Sequence, residues 1–368
     1  MSTNIGIIGL PRSGKTTVFN ALTGGKADTA SRSTDGLAPH VGVAKVPEPR
    51  LMILEKIIGA PRVVYAEAKY MDIGASVKSL AEDKGLGGRL LNQLSTMDTM
   101  VCVARAFKDD SLPHPDGSLD VKRDIGTLNL ELVFSDLAIM ERRLQRLEET
   151  LKGAKQPERQ AAMQEKEILL HLKASLENDK PIRELPLEPA ASRIVNSYQF
   201  LTAKPLLIVV NIGEDQLPQT AAIEKELNAL FNGQSCRVIT LCGKLEMEIA
   251  QLEESAAKEI RAVYGITEPG AERVIKMSYE LSDLITFFTA GPNEVRAWPL
   301  KRDTTALKAA GKIHSDMEKG FIRAENIALD DLIKCGSIAE ARKKGLLRLE
   351  GKEYIVKDGD VITFLFNV

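Results

Sequence analysis

Short apolar runs and segments of helical period alternate along most of the chain. Strand-like runs fall at residues 5–8, 41–46, 66–73, 100–106 and 206–210, with helical patterns between them. That alternation predicts an α/β fold with a doubly wound, mostly parallel sheet. Ligands of such sheets sit beyond the carboxyl ends of the strands. Residues 24–39 are rich in Ser, Thr, Gly and Asp and read as a long loop.

Between about 127 and 180 the alternation stops. Leu137, Met140, Leu144, Leu147 and Leu151 step by three and four, Gly153 and Pro157 break the run, and Ile168, Leu169, Leu172 and Leu176 resume it. This predicts an inserted antiparallel coiled-coil helical hairpin with Glu and Arg on its outer faces. An arm that docks a partner and a helical pair lying on its own domain both fit, because an amphipathic stripe promises only that something covers it.

The α/β pattern returns through Cys242, and 249–264 reads as its closing helix. From 281 the texture changes to Thr286-Phe287-Phe288-Thr289, a turn at Gly291-Pro292-Asn293, then Val295-Arg296-Ala297-Trp298. A helical stretch with Leu307, Ala310, Ile313 and Met317 follows, then Tyr354-Ile355-Val356, an Asp358-Gly359 turn and the run 361–366. A strand pair, a helix and a closing hairpin predict a small β-grasp domain. The expected division is 1–126 and 181–280 for two parts of the α/β domain, 127–180 for the helical arm and 281–368 for the C-terminal domain.

With 368 residues, 44% hydrophobic and 27% charged, the chain can bury a large core divided among two or three units. A formal net charge of -2 argues against gripping nucleic acid with the whole surface: no DNA is expected, and any RNA contact is local. Lys301, Arg302, Lys308, Lys312, Lys319 and Arg323 could form such a patch or a merely solvated basic face. Cys102, Cys236, Cys242 and Cys335 are scattered without a C-x-x-C pair and the histidines are equally dispersed, so isolated buried thiols are expected, not a zinc site. No apolar stretch is long enough to span a bilayer, and the chain opens on a strand without a basic n-region. A cytoplasmic protein without a membrane partner is expected.

The chemistry is concentrated near the start. The apolar run Ile5-Gly6-Ile7-Ile8 leads into Gly9-Leu10-Pro11-Arg12-Ser13-Gly14-Lys15-Thr16, a complete G-x-x-x-x-G-K-[ST] phosphate loop. Its glycines let successive backbone N–H groups face phosphates, Lys15 places a cation on the β- and γ-oxygens, and Thr16 offers a hydroxyl to Mg²⁺. Thr17 and the residues after it read as a helix whose positive end faces the same anion. Asp72 follows a strand-like run and stands where a Mg²⁺-associated carboxylate belongs, but its segment reads Asp72-Ile73-Gly74-Ala75, with Ala75 at the usual glycine position. After the run 206–210 comes Asn211-Ile212-Gly213-Glu214, a variant of the guanine-reading Asn-Lys-x-Asp, so firm guanine selectivity does not follow. No glutamine follows Asp72 to orient water; His114 is a candidate for that task from another loop. His314 reads as structural or surface.

Together these features resemble the YchF family, Obg-like ATPases of the translation-factor class, across the whole chain. The resemblance rests on Gly9-Leu10-Pro11, on Pro39-His40-Val41-Gly42-Val43 before Val46-Pro47, on Lys84-Gly85-Leu86-Gly87 and on Asn211-x-x-Glu214. Above all it rests on Ala310-Gly311-Lys312-Ile313-His314-Ser315-Asp316-Met317-Glu318-Lys319-Gly320-Phe321-Ile322-Arg323-Ala324-Glu325, near-verbatim for that family's C-terminal TGS domain. It implies a nucleotide domain interrupted by a coiled-coil arm, then a ubiquitin-like TGS domain. It also implies ATP accepted at least as well as GTP, slow hydrolysis, and association with the ribosome. By the same resemblance Gly9, Gly14, Lys15, Thr16 and Thr17 hold phosphates and Mg²⁺, and Asn211 and Glu214 face the base; Pro11, Arg12 and Ser13 are counted with the nucleotide-binding loop they belong to, and Asp72 with Thr16 at the metal. Cys242 and Gly243 back the base through the main chain, and His114 falls at the family's candidate catalytic histidine, acting with Lys15.

Departures qualify the picture. Gly36 stands where a switch threonine belongs, with Thr34 two residues away, and Arg12-Ser13 replaces the usual Asn-Val. Arg12 could reach the γ-phosphate as a built-in cation or face solvent. Binding elements are intact and sensing elements altered, which predicts a diverged member that binds ATP or GTP with Mg²⁺ and hydrolyses it slowly. A nucleotide-sensing ribosome or RNA adaptor with vestigial hydrolysis, and a guanine-specific GTPase, are the alternatives.

Overall fold

A computed structural model describes residues 3–27, 39–73, 86–153, 155–231, 233 and 235–367. In chain order, β1 (Thr3–Gly9) leads into α1 (Lys15–Thr23), β2 (His40–Lys45), α2 (Arg50–Ile58), β3 (Val63–Val64), β4 (Glu67–Asp72), α3 (Leu86–Ser95) and β5 (Thr99–Arg105). Two long helices, α4 (Val121–Gly153) and α5 (Gln156–Glu177), come next. After them run α6 (Pro189–Tyr198), β6 (Leu206–Asn211), α7 (Thr220–Leu230), β7 (Cys236–Leu241), α8 (Gly243–Ile249) and α9 (Glu254–Val263). The remainder carries α10 (Gly270–Leu281), β8 (Leu284–Ala290), β9 (Val295–Lys301), α11 (Ala306–Ile313), α12 (Ser315–Lys319) and β10 (Phe321–Ala328). Helices α13 (Leu329–Cys335) and α14 (Ile338–Lys343) and strands β11 (Arg348–Glu350) and β12 (Asp360–Phe366) complete it.

The larger of two compact units comprises the described residues of 4–42 and 69–274. Its six-stranded sheet has the order β2-β4-β1-β5-β6-β7, and β1, β5, β6 and β7 pair in parallel. Every residue of β5 and β6 is buried, which is why 100–104 and 206–210 read as apolar runs: helices cover both faces of a parallel sheet. Ile8, Met100, Cys102, Ile208 and Val238 meet Leu94, Leu128 and Leu245 in one core. Cys102, Cys236 and Cys242 are buried and Cys335 is only partly so; burial pushes the Cys102 thiol up to about 12.

Helices α4 and α5 run antiparallel, with Arg143 on Glu165, Glu148 on Lys166 and Glu141 on Lys173. Their stripe is covered twice over: Met140 and Leu147 pack with Leu169, Leu172 and Leu176, and the same cluster takes in Ile182, Val195 and Phe200 from the segment that follows. The helix begins at Val121, earlier than the leucine spacing alone indicates, and Gly126 lies inside it.

Asp136 on α4 ties this region together. Fully buried, it accepts the Leu201 N–H at 2.9 Å, the Thr202 N–H at 2.7 Å and the Thr202 hydroxyl at 2.6 Å, capping the 3₁₀ turn Leu201–Ala203. Burial pushes its carboxyl up from 3.8 to about 6 against the pull of those donors. With the folded value above the unfolded one, the stability it contributes is fullest below about pH 4 and is lost as pH rises through about 6. Asp136→Ala is therefore expected to lower the urea-unfolding free energy by about 2–3 kcal/mol, by orphaning buried donors. The loss should be greater near about pH 4.5 than near about pH 7; unchanged urea midpoints would refute the role.

The smaller unit combines Thr3, 43–68 and the described residues of 275–368. Residues 43–68 thus pack with the C-terminal part of the chain, where the sequence pattern runs the first α/β segment unbroken to 126. Its sheet has the order β11-β10-β12-β8-β9-β3, and Val63 and Val64 pair in parallel with Val295 and Arg296. Arg50 fastens this segment: it bonds Glu48 at 2.6 Å and Asp358 at 2.6 Å and lies over the Phe288 ring. Phe287, Trp298, Ala309, Ala310, Ile362 and Phe364 form the core.

The expected closing hairpin is not formed. Residues 361–366 pair instead with β10 and, at Val361, with β8, while Ile355 makes one isolated bridge to Thr305. Tyr354 is taken up otherwise, its hydroxyl joining Asn326 and Asp360. In this unit Arg302 pairs with Asp283 and Lys308 with Glu318, so part of the basic series is neutralised locally. His314 is largely exposed and caps α12 by accepting the Asp316 N–H.

Candidate functional site

β1 delivers its last residue, Gly9, into a crowded place. A Cβ there would lie 2.6 Å from the Val103 carbonyl oxygen and 2.7 Å from Ser13 Oγ, so no side chain fits. The chain turns through Arg12 and Gly14, at φ 64° and 87°, and a Cβ on Gly14 would overlap Asn211 Nδ2. Arg12 thus holds a left-handed conformation at a cost of order 1 kcal/mol or more. Helix α1 then begins, with no side-chain cap and no acidic residue in its first turn among the described residues, which leaves its N-terminal N–H groups facing the loop for an anion. Lys15 Nζ donates to Gly9 O at 3.1 Å and Leu10 O at 3.2 Å. Burial lowers the pKa of its ammonium, and the charge of Asp72 opposes that shift. Ser13 Oγ is buried with no hydrogen-bond partner among the described residues. Pro11 and Arg12 are exposed and Thr17 is partly so.

Thr16 and Asp72, far apart in sequence, meet: Thr16 Oγ1 donates to Asp72 Oδ2 at 2.7 Å. Asp72 is buried, its Oδ1 lacks a partner among the described residues, and His40 Nδ1 stands 3.5 Å from its Oδ2. A hydroxyl beside an under-bonded buried carboxylate is the hard-oxygen donor set that Mg²⁺ takes. His40, which the sequence motif contains without marking as a site residue, stands beside this pair through a ring nitrogen and is not one of its oxygen donors. Gly36, Thr34, Gly74 and Ala75 lie outside the described residues.

Asn211 ends β6 and is a junction. Its Nδ2 donates to Ser13 O at 3.1 Å and its Oδ1 accepts the Gly243 N–H at 3.0 Å. Its own carbonyl accepts from Ala106 N and Phe107 N at 2.8 and 3.1 Å. Both ends of the amide are thus engaged by main chain, and the residue holds three loops in register. Glu214 lies apart from this junction, exposed, with Tyr264 donating its hydroxyl to Oε2 at 2.7 Å. Tyr264 is fifty residues away and sequence spacing gives no sign of it. Cys242 is buried where it precedes α8, and burial raises its thiol pKa.

His114 is not joined to Lys15. Its Nε2 lies 2.9 Å from Asp124 Oδ2 and its Nδ1 accepts the Asp116 N–H at 3.2 Å; the main-chain donor on Nδ1 places the ring proton on Nε2, directed at Asp124. His114, Asp116 and Asp124 have the ligand spacing of a cation site, yet Arg123 already bonds the other Asp124 oxygen at 2.8 Å, supplying the positive charge. The loop carrying His114 touches the phosphate loop one residue earlier, where Arg12 Nη1 donates to Pro113 O at 2.7 Å.

Comparisons with known proteins match this arrangement. A family model described as "50S ribosome-binding GTPase" matches residues 4–110, and YchF-GTPase_C, described as "Protein of unknown function (DUF933)", matches 284–367. The chain is 40% identical to "Ribosome-binding ATPase YchF" of Bacillus subtilis and 36% identical to that of Escherichia coli O157:H7, with all of each chain covered. The solved "Structure of the Schizosaccharomyces pombe YchF GTPase" superposes with a TM-score of 0.83 at 28% identity, covering 99% of this chain and 98% of that one. No described helix is long and apolar enough to cross a membrane.

Proposed function

The chain belongs to the YchF family, and from that premise we propose that it binds ATP, and GTP as well, with Mg²⁺, hydrolyses it slowly and works in contact with the ribosome. The observation that carries the reading is the built phosphate cradle, with Lys15 at its mouth and the Thr16–Asp72 pair beside it. Backbone N–H groups of 12–17 and the Lys15 ammonium hold phosphate oxygens, while Gly9, Pro11 and Gly14 shape the loop that presents them. Thr16 and Asp72 hold Mg²⁺, which when bound neutralises charge on the β- and γ-oxygens. Glu214 and the main chain at Cys242 and Gly243 face the base, with Asn211 fixing the loops on either side. His114, once released from Asp124, orients the attacking water. Residues 127–180 serve as the arm and 281–368 as the TGS domain, and the setting is cytoplasmic.

One observation favours a second reading, an adaptor with vestigial hydrolysis: the His114 ring is bonded to Asp124 and not turned to the phosphate loop. Parallel calorimetric titrations with ATP and GTP analogues, phosphate release and ribosome co-sedimentation separate the readings. ATP binding at least as tight as GTP, with release above a Lys15→Ala control, is expected. About tenfold tighter GTP would make this a guanine-specific enzyme, release no higher than the control would leave the adaptor, and absence from ribosomes in every nucleotide state would remove the partner.

A further inference from the structure

Arg12 is the residue whose placement the proposed function leaves unexplained. It sits in the phosphate loop in a left-handed conformation, and its Nη1 reaches across 101 residues to Pro113 O at 2.7 Å. The loop it meets is otherwise fastened at its root and at its far side. Asn211 O accepts from Ala106 N and Phe107 N, Arg105 donates to Phe107 O and Asp109 O, and Asp124 holds the His114 ring. Between Asp109 and His114 the loop touches the phosphate loop through Arg12.

We propose that Arg12 is a positioning residue for hydrolysis, its guanidinium tying the His114 loop to the phosphate loop through the Pro113 carbonyl. The proposal rests on the reading of His114 as the residue that orients water. A guanidinium is permanently charged and offers N–H donors in a rigid fork, so it keeps its bond to the Pro113 carbonyl at any working pH. The carbonyl and the imidazole belong to adjacent residues, so the tie limits how far His114 can stand from the cradle once it leaves Asp124. A misplacement of about 1 Å at a reacting group can lower a rate by up to about 10².

The experiment is steady-state ATPase kinetics on the full chain carrying Arg12→Ala, Arg12→Lys, His114→Ala and the double variant Arg12→Ala/His114→Ala. Alanine keeps a Cβ at the same φ, so no new backbone strain enters. Arg12→Ala should lower kcat about tenfold with KM within about twofold, Arg12→Lys should recover part of it, and the double variant should match His114→Ala alone. Amide exchange of 109–118 in the nucleotide-free chain should quicken in Arg12→Ala and not in Lys15→Ala. A raised KM with unchanged kcat would make Arg12 a phosphate contact and overturn the tie. So would unchanged kcat and exchange in Arg12→Ala while His114→Ala is impaired, which leaves the reading of His114 standing. An unimpaired His114→Ala would remove that reading, and the proposal with it.

Discussion

Lys15→Ala is expected to weaken binding of an ATP analogue by roughly 10²–10³-fold while the chain stays folded. The ammonium is held against Gly9 O and Leu10 O, two carbonyls of the loop it serves, and burial has already lowered its pKa against the pull of Asp72. A triphosphate offers this group what its surroundings withhold, namely anionic acceptors in place of neutral carbonyls. Charge-assisted bonds to two phosphate oxygens contribute roughly 1.5–3 kcal/mol each, or about 3–4 kcal/mol together after discounting for residual water. Removal leaves Gly9 O and Leu10 O beside an open cradle where water can replace the lost donor, so the melting temperature should move by only a few degrees, about 1 kcal/mol or less. Isothermal titration with a non-hydrolysable analogue reads the first quantity and a thermal melt the second. An affinity within about fivefold of the parent would remove Lys15 from the binding machinery.

What was legible in the sequence is what local chemistry determines. Gly9 and Gly14 are readable because the loop's geometry admits no Cβ at either place, and β5 and β6 because burial on both faces makes their central positions, 100–104 and 206–210, apolar. The meeting of Thr16 with Asp72 was readable because a phosphate loop and the end of a neighbouring strand share one edge of such a sheet. The illegible parts depend on pairings with no spacing signature. Residues 43–68 read as a continuation of the α/β pattern, and nothing local indicates that Val63 pairs with Val295 or that Arg50 binds Asp358 across 308 residues. Tyr264 on Glu214 is of the same kind. Asp124 lies only ten residues from His114, but an acidic residue in the first turn of a helix is expected for dipole reasons alone, which masks its use as the histidine's anchor. The motif marks Asn211 as a base-facing residue and gives no sign that its amide is taken up by main chain on both sides.

That junction carries the second large prediction. Asn211→Ala should lower unfolding free energy by about 2–4 kcal/mol and weaken nucleotide binding by roughly 30-fold or more. The residue is buried, and truncation strands the Ser13 carbonyl and the Gly243 N–H, each a buried group whose lost partner costs about 1–3 kcal/mol. Binding suffers separately, because the amide joins the phosphate loop to the main chain at Gly243, and a nucleotide spanning both, as proposed above, must then re-order them itself. Asn211→Asp distinguishes geometry from charge. It has nearly the same shape and keeps an acceptor for Gly243 N–H, but sets a carboxylate oxygen against Ser13 O and brings negative charge to the anion cradle, so its affinity should fall at least as far as that of the alanine variant. Urea midpoints and titration of an ATP analogue would be measured on both. Stability within about 0.5 kcal/mol of the parent, together with affinity within about twofold, would mean that the three loops keep their register without Asn211.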